Sequence, residues 1–176
     1  MPARYIWLLA AAAAAAAGCC RDVHGADERP PVQPVLPPSG WSTWNSFSCD
    51  INATLVRQGA DHLASSGLLA AGYRFILIDD CWSLCKQYDA KNGYCTEPGG
   101  RDENGDLIPD PEKFPGGIRA VADYVHSVGA LFGIYTSIGP LTCGGFTGSA
   151  GHEDADAALF AEWGVDFIKV RPRGSS

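Results

Sequence analysis

The chain has 176 residues, of which 46% are apolar, and it includes 5 Trp, 7 Phe and 6 Tyr. This composition can fill the core of one folded domain and excludes a disordered chain. The formal net charge is −7 and the sequence contains no basic run, which excludes nucleic acid as a partner because phosphate binding needs clustered Lys and Arg. A neutral, sugar-like substrate is compatible with these properties.

Residues 1–26 have the layout of a secretory signal peptide. Arg4 precedes an apolar run over residues 5–17 that ends in small residues, and this run is too short and too weakly flanked to predict a membrane span. A retained Ala-rich helix and a lipobox-like sequence ending at Cys19 are the alternatives. Residues 27–38 are rich in proline and are predicted to be an extended linker. The protein is therefore predicted to be secreted or lumenal, without a membrane partner.

From residue 39 onward, short apolar strands alternate with helical stretches, which is the pattern of βαβ units around a parallel sheet. The segment Phe75–Ile78 is continuously apolar, as expected for a strand that is buried on both faces. Asn52 or Asp50 can cap the first long helix, and Gly67 is a typical helix end. We predict helices over residues 52–69, 117–127 and 152–164, and strands over residues 75–78, 130–137 and 165–170.

The segment between Trp82 and Phe114 is a long insertion with too many Gly, Pro, Asn and Asp residues for one regular element. Cys85 and Cys95 can form a disulfide within this insertion. Its "DENGD" stretch, residues 102–106, resembles part of a calcium loop but lacks the Glu at the required spacing, so we interpret it as a solvated turn. The histidines show no metal-ligand spacing, and neither a metal nor a cofactor is predicted. They are His24, His62, His126 and His152.

The cysteine content agrees with export. Five cysteines follow the predicted leader, and several have loop-like surroundings in which disulfides form in an oxidising compartment. They are Cys49, Cys81, Cys85, Cys95 and Cys143. Because five is odd, one of them is predicted to lack a partner within this chain. Asn52 begins an Asn-Ala-Thr sequence that predicts N-glycosylation.

Polar and aromatic residues lie near the carboxyl ends of the predicted strands, where parallel α/β folds bind ligands. Trp41 and Trp44 follow the first short strand, Asp79 and Asp80 end the second, Tyr135 ends the third, and Lys169 lies in the fourth. Aromatic faces that stack on a ring, with carboxylates and a lysine for hydroxyl groups, suit a sugar better than a phosphate. Core packing of the tryptophans and a solvated cap formed by the aspartates are the alternatives.

Four blocks follow one another along the chain: "GWSTWNSFSCDIN", "GYRFILIDDCW", "FPGGIRAVADYVHSVGALFGIYTS" and "TCGGFTGSAGHEDADAALFAEWGVDFIKV". Together they resemble the consecutive motifs of the α-galactosidases of glycoside hydrolase family 27. The resemblance implies an α/β fold, a truncated (β/α)8 TIM barrel with about the first four β/α units in residues 39–170. It also implies hydrolysis of terminal α-linked galactose with retention of configuration, on α-galactoside oligosaccharides or glycoconjugates.

The resemblance further implies roles for individual residues. Trp44 would form a wall of the galactose pocket, Asp79 and Asp80 would accept hydrogen bonds from sugar hydroxyls, Tyr135 would lie beside the reacting carbon, and Lys169 would bind hydroxyls. These are the substrate-binding residues that we expect to find together.

One position departs from the family pattern. The aspartate two places after the lysine is the family's nucleophile, and Arg171 stands there in this chain. A retaining glycosidase needs two carboxyl groups roughly 5 Å apart, whereas arginine stays protonated and has no lone pair to offer. The family takes its acid/base from a later strand. We therefore expect residues 171–176 to be an aberrant tail and the chain as it stands to be inactive.

The resemblance makes Cys49–Cys81 and Cys85–Cys95 plausible disulfides, which would leave Cys143 unpaired. Three other interpretations stay open beside the α-galactosidase. They are a non-catalytic galactose-binding or non-functional fragment, an α-N-acetylgalactosaminidase, and a small α/β domain unrelated to sugars. The absence of a Gly-rich phosphate loop weakens the last of these.

Overall fold

Residues 38–171 fold around a parallel β-sheet, and these are the residues that the computed structural model describes. In chain order the elements are β1 (Gly40–Ser42), α1 (Trp44–Phe47), α2 (Ala53–Ser65), β2 (Phe75–Ile78), β3 (Cys85–Asp89), β4 (Tyr94–Pro98), α3 (Gly117–Ser127), β5 (Leu131–Ser137), α4 (Glu153–Glu162) and β6 (Phe167–Arg171). The predicted leader, nearly all of the predicted linker and residues 172–176 of the predicted tail lie outside the described residues.

The central sheet has four strands in the order β1-β2-β5-β6, and every neighbouring pair is parallel. Each new strand therefore joins the same edge of the sheet, unlike a doubly wound sheet, in which the strand order reverses at a switch point. The helices α2, α3 and α4 lie in the three crossover connections. The predicted α/β fold, with consecutive βαβ units around a parallel sheet, is confirmed.

One face of the sheet forms the core. Alternate residues of a strand point to opposite faces, and Ile76, Ile78, Phe132 and Ile134 are completely buried on the face that packs against α2 and α3. The sequence pattern predicts that Phe75–Ile78 is buried on both faces of the sheet. This is wrong for the face away from the helices, where Phe75 and Leu77 are only partly buried among the described residues.

The second face of the sheet changes character along the strands. Near the amino ends, Phe75 contacts Phe167 with ring centroids 5.6 Å apart. Tyr135 and Lys169 are partners in the register of β5 and β6, so they share this face, and Asp79 continues the alternation of β2 onto it. This face is therefore apolar at the amino ends of the strands and polar at the carboxyl ends.

The predicted helices are present, but α2 ends early and α4 spans Glu153–Glu162 rather than residues 152–164. The helix α3 has the predicted bounds, and Asn52 caps α2 by accepting a hydrogen bond from the Leu55 N–H at 2.9 Å. The helix α2 ends at Ser65 rather than at residue 69, because Gly67 has a φ of +83°, a left-handed conformation that terminates a helix.

Two strand-end assignments from the sequence are wrong. Trp41 lies within β1 rather than after it, and it packs edge-on against Phe47 with ring centroids 6.0 Å apart. It is therefore partly buried against the core. Tyr135 lies inside β5, which continues to Ser137. The extent of β1 was missed because hydrogen bonds to a neighbouring strand, which the sequence does not reveal, decide where a strand begins and ends. The predicted end of the third strand at residue 137 agrees with the structure, so only the placing of Tyr135 at that end is wrong.

The insertion contains an antiparallel hairpin that the sequence did not predict, in which β3 pairs with β4. The Cys85–Cys95 disulfide links the two strands of this hairpin. The Cys49–Cys81 disulfide joins the segment after α1 to the segment after β2. These are the pairs that the resemblance made plausible. Residues 102–106 form a turn rather than a regular element. Within residues 38–171, no helix has the length and apolar content needed to cross a membrane.

Candidate functional site

A cleft of about 390 Å³ opens at the carboxyl ends of the parallel strands. Its lining residues are Trp44, Asp79, Asp80, Tyr135, Cys143, Lys169, Val170 and Arg171. All the residues that the sequence analysis expects to bind substrate thus line one cleft. In the part of the chain that the structure describes, no cluster of three or more His, Cys, Asp or Glu side chains could hold a metal ion.

Asp79 is buried, with 4% of its surface exposed, and its partners lie in a parallel strand or just after one. Its Oδ2 atom lies 2.5 Å from the Nζ atom of Lys169, and its Oδ1 atom accepts the Asp80 N–H at 2.9 Å. Its own N–H donates to the Oγ1 atom of the buried Thr43 at 3.0 Å. A charge at this depth needs such partners, and the lysine supplies the opposite charge.

Asp80 has 2% of its surface exposed, and two of its three donors come from a distant segment of the chain that follows β5. Its Oδ1 atom accepts the Thr142 hydroxyl at 2.7 Å and the Cys81 N–H at 2.9 Å, and its Oδ2 atom accepts the Gly144 N–H at 2.7 Å. Burial raises the pKa of Asp80 above its ordinary value, and the negative charge of the nearby Asp79 raises it further. The three hydrogen-bond donors lower this pKa and so oppose the rise.

Tyr135 and Trp44 supply the aromatic surfaces of the cleft. The Lys169 Nζ atom lies 5.3 Å from the centroid of the Tyr135 ring, and the Tyr135 hydroxyl lies 3.1 Å from the Sγ atom of Cys143. Burial and the contact with Cys143 raise the pKa of Tyr135, so its phenol stays protonated at neutral pH. Trp44 has 37% of its surface exposed, which leaves its indole ring accessible to a ligand.

Arg171 occupies the end of β6 on the same face as Lys169. It is in register with Ser137, and its guanidinium contacts the Sγ atom of Cys143. Cys143 is the free, exposed cysteine among those that the structure describes. A permanent cation therefore lines the cleft at the place where the family resemblance implies a carboxylate nucleophile.

Several residues that shape the site were not identified from the sequence. Thr43, Thr142 and Gly144 bind the two aspartates directly, as described above. Thr142 and Gly144 belong to the β5–α4 loop, residues 138–152. The signal that could have located them is the block "TCGG", which belongs to the fourth motif but by itself assigns no role to its threonine and glycines.

An ion pair also missed from the sequence ties the insertion to α4 and to the β5–α4 loop. Arg101 donates two hydrogen bonds to the Asp156 carboxylate, at 2.5 and 2.8 Å, and a third to the Gly148 carbonyl at 3.0 Å. The side chains of Arg101 and Asp156 are 12% and 3% exposed. This bidentate pair fixes the loop that carries the donors to Asp80.

The Gly148→Ala substitution is expected to lower the free energy of unfolding by about 1–3 kcal/mol, because the added Cβ atom would lie 2.1 Å from the Gly139 carbonyl oxygen. The matched control is Gly139→Ala in the same loop, where the nearest atoms lie at 3.4 Å, and we expect its effect to stay within about 0.5 kcal/mol. Denaturant unfolding measures both. Equal losses in the two variants would show that the loop is not tightly packed at Gly148.

A parallel α/β sheet that gathers buried carboxylates, a lysine and aromatic rings at the carboxyl ends of its strands is the arrangement of an enzyme-type ligand site. The particular family follows from comparison with known proteins. Residues 36–172 match the family Melibiase_2, described as Alpha galactosidase A. The chain belongs to this family.

Among curated relatives, the chain is 46% identical over 137 residues to "Probable alpha-galactosidase B" of Aspergillus fumigatus, covering 78% of this chain and 29% of the relative. It is 47% identical over 136 residues to "Alpha-galactosidase 2" of Arabidopsis thaliana, covering 77% of this chain and 31% of the relative. The chain therefore spans less than a third of the length of these two relatives.

Solved structures agree with the sequence relatives. The alpha-galactosidase I of Mortierella vinacea superposes with a TM-score of 0.68 at 40% identity, over 77% of this chain and 31% of that protein. The alpha-galactosidase of Saccharomyces cerevisiae, in a structure with raffinose, superposes with a TM-score of 0.67 at 40% identity, over 77% of this chain and 27% of that protein.

Proposed function

We propose that the cleft binds a terminal α-galactosyl group of an α-galactoside oligosaccharide or glycoconjugate. The observation that carries this proposal is the pair of buried, hydrogen-bonded carboxylates, Asp79 and Asp80, at the end of β2 beside the exposed ring of Trp44. The relatives support it, because they are named α-galactosidases and one of their structures contains raffinose. For the family reaction, the proposed chemistry is retaining hydrolysis of the α-galactosidic bond.

The bonding of the two aspartates leaves capacity for a sugar. An ionised carboxylate offers about four lone-pair sites. Asp79 accepts hydrogen bonds from Lys169 and the Asp80 N–H, so it retains acceptor sites toward the cleft for vicinal sugar hydroxyls. Lys169 has further protons to donate, and the apolar face of the galactose ring would stack on Trp44.

We propose that the described residues are the first half of a (β/α)8 barrel. Two features support this. The strand order follows the chain without reversal, as in a barrel that adds strands in sequence. The face opposite the helices is also apolar at the amino ends and polar at the carboxyl ends, which suits a barrel interior that is packed below and binds ligand above.

With Arg171 in the cleft, we propose that this chain binds the galactosyl group without hydrolysing the bond. Arg171 offers no lone pair for attack on the anomeric carbon. Among the described residues, Asp79 and Asp80 are the carboxylates that line the cleft, and both are committed to bonds with neighbouring groups. We therefore propose that both carboxylates accept hydrogen bonds from sugar hydroxyls, while Arg171 occupies the position at which the family resemblance implies the nucleophile.

An extracellular or lumenal location is part of the proposal. The two disulfides support it, since such bonds persist in oxidising compartments. Asn52 is exposed, and its Oδ1 atom serves as the helix cap, which leaves its amide nitrogen available for a glycan. Mass spectrometry of the protein from a eukaryotic host, before and after enzymatic removal of N-glycans, tests this assignment.

Calorimetric titration with galactose tests the binding proposal, and glucose, which differs in the configuration of one hydroxyl, is the matched ligand control. Galactose is expected to bind and glucose to bind more weakly. An aryl α-galactoside supplied in the same preparation is expected to show no turnover. Absence of galactose binding by the folded protein contradicts the binding proposal, and turnover that disappears on Asp80→Ala contradicts the proposal of binding without hydrolysis.

Galactose binding is expected to weaken as the pH falls through the folded-state pKa of Asp80. Protonation removes the charge that strengthens hydrogen bonds from the sugar hydroxyls, and burial raises this pKa. The loss therefore begins at a higher pH than an exposed aspartate would show. Titrations at several pH values between about 4 and 7 measure it, and Asp80→Asn, which cannot ionise, is the control. A flat profile for the unmodified protein contradicts the assignment.

A further inference from the structure

We infer that Thr142 is a positioning residue for the galactose site: its hydroxyl orients the Asp80 carboxylate and favours its charged form, and the insertion hairpin holds the loop that presents this hydroxyl. The inference rests on the proposed binding of galactose by Asp80. Thr142 itself is absent from the cleft lining, so it acts through Asp80 and not through the sugar.

The hydroxyl of Thr142 has one available arrangement. It donates to the Asp80 Oδ1 atom at 2.7 Å, and its oxygen accepts the Phe146 N–H at 3.1 Å. The main chain closes a tight turn around it, because the Thr142 N–H donates to the Phe146 carbonyl at 2.8 Å. With the acceptor side occupied by Phe146, the hydroxyl proton points to Asp80, and this donor cannot rotate away without losing a bond.

The insertion hairpin supports this turn from outside. The Cys95 N–H donates to the Gly144 carbonyl at 2.7 Å, and Cys95 is itself fixed by its disulfide with Cys85. Phe146 is 1% exposed and packs in a small cluster with Cys81 and Cys95. At Gly145 a Cβ atom would lie 2.4 Å from the Cys95 carbonyl oxygen, so the turn and the hairpin are in close contact.

The charged and titratable groups near Asp80 come from each element around it, and they compete in setting its charge. They are Asp79 from the end of β2, Tyr135 from β5, Lys169 from β6, Lys113 from the insertion and Cys143 from the β5–α4 loop. Asp79 opposes ionisation of Asp80, whereas Lys113 favours it, and the Lys113 Nζ atom is fixed by the Cys49 and Cys81 carbonyls. The Thr142 hydroxyl adds a directed donor to this balance.

The test compares Thr142→Val and Thr142→Ser in the full 176-residue chain. Valine has nearly the volume of threonine without the hydroxyl, and serine keeps the hydroxyl. Carboxyl NMR signals of the ¹³C-labelled, galactose-free protein report the titration of Asp80, with Asp80→Asn assigning its signal. We expect the Asp80 titration to move to higher pH in Thr142→Val and to return toward the original pH in Thr142→Ser.

Galactose titration of the same variants is expected to show roughly ten-fold weaker binding in Thr142→Val at mildly acidic pH and near-original binding in Thr142→Ser. An unchanged Asp80 titration in Thr142→Val overturns the inference, even if its stability falls. If Thr142→Val does not fold, Thr142→Ala, which leaves room for a water at the Phe146 N–H, provides the comparison. A shifted Asp80 titration in a protein that never binds galactose would contradict the proposed function instead.

Discussion

Replacement of Asp156 with alanine is expected to lower the free energy of unfolding by about 3–5 kcal/mol. Asp156 is 2% exposed, and it supplies both acceptors of a bidentate pair with Arg101. Its removal leaves the guanidinium, 12% exposed at the side chain, without an opposite charge. The cost exceeds that of a surface ion pair because an unpaired buried charge retains its full desolvation penalty.

The matched control is Asp154→Ala, which removes an exposed carboxylate from the same first turn of α4. Both substitutions lose the favourable interaction of an acidic side chain with the helix N-terminus, about 0.3–1 kcal/mol. The difference between their losses in free energy of unfolding therefore reports the contribution of the ion pair. Urea unfolding followed by circular dichroism measures both. A difference below about 1 kcal/mol would mean that Arg101 and Asp156 behave as a solvated surface pair.

Replacement of Asp80 with alanine is expected to weaken galactose binding by roughly a hundred-fold or more, because charge-assisted hydrogen bonds to the sugar are lost. The change also leaves the Thr142 hydroxyl and the Gly144 N–H without their acceptor, so the folded fraction must be determined alongside the binding. Calorimetry gives the dissociation constant, and thermal unfolding gives the folded fraction at the temperature of the titration.

The control for Asp80 is Asp89→Ala on the insertion hairpin. Asp89 likewise accepts hydrogen bonds from nearby groups, the Lys91 N–H and the Asn92 side chain, but it lies outside the cleft lining. We expect the Asp89→Ala variant to bind galactose with the affinity of the unmodified protein. Equal binding by Asp80→Ala and Asp89→Ala would remove Asp80 from the site.

The sequence predicted the sheet because its signals are local. The apolar run Phe75–Ile78 and the helical spacing of residues 117–127 are visible without knowledge of contacts. The β3–β4 hairpin was missed for a physical reason: most of its side chains are exposed, so it lacks the alternating apolar pattern from which strands are recognised. Cross-strand pairing and the Cys85–Cys95 disulfide hold it instead.

In the candidate site, too, some residues could be predicted from local sequence patterns and others could not. Asp79, Asp80 and Lys169 could be predicted to converge because parallel strands bring their carboxyl ends to one edge of the sheet. The partners of Asp80 could not, because Thr142 lies 62 residues away in a loop. The Arg101–Asp156 pair, separated by 55 residues, likewise depends on how the insertion folds back, and no local pattern encodes that.

The measurement that tests the central claim most directly is the response of tryptophan indole N–H signals to galactose. Trp44 lines the cleft, whereas Trp163 packs against Trp82 and Phe160 in the core. Single Trp→Phe variants assign the signals. We predict that galactose shifts the Trp44 signal in a saturable way and leaves that of Trp163 in place. A Trp44 signal that does not move, or that moves equally with glucose, would contradict a galactose site at the carboxyl ends of these strands.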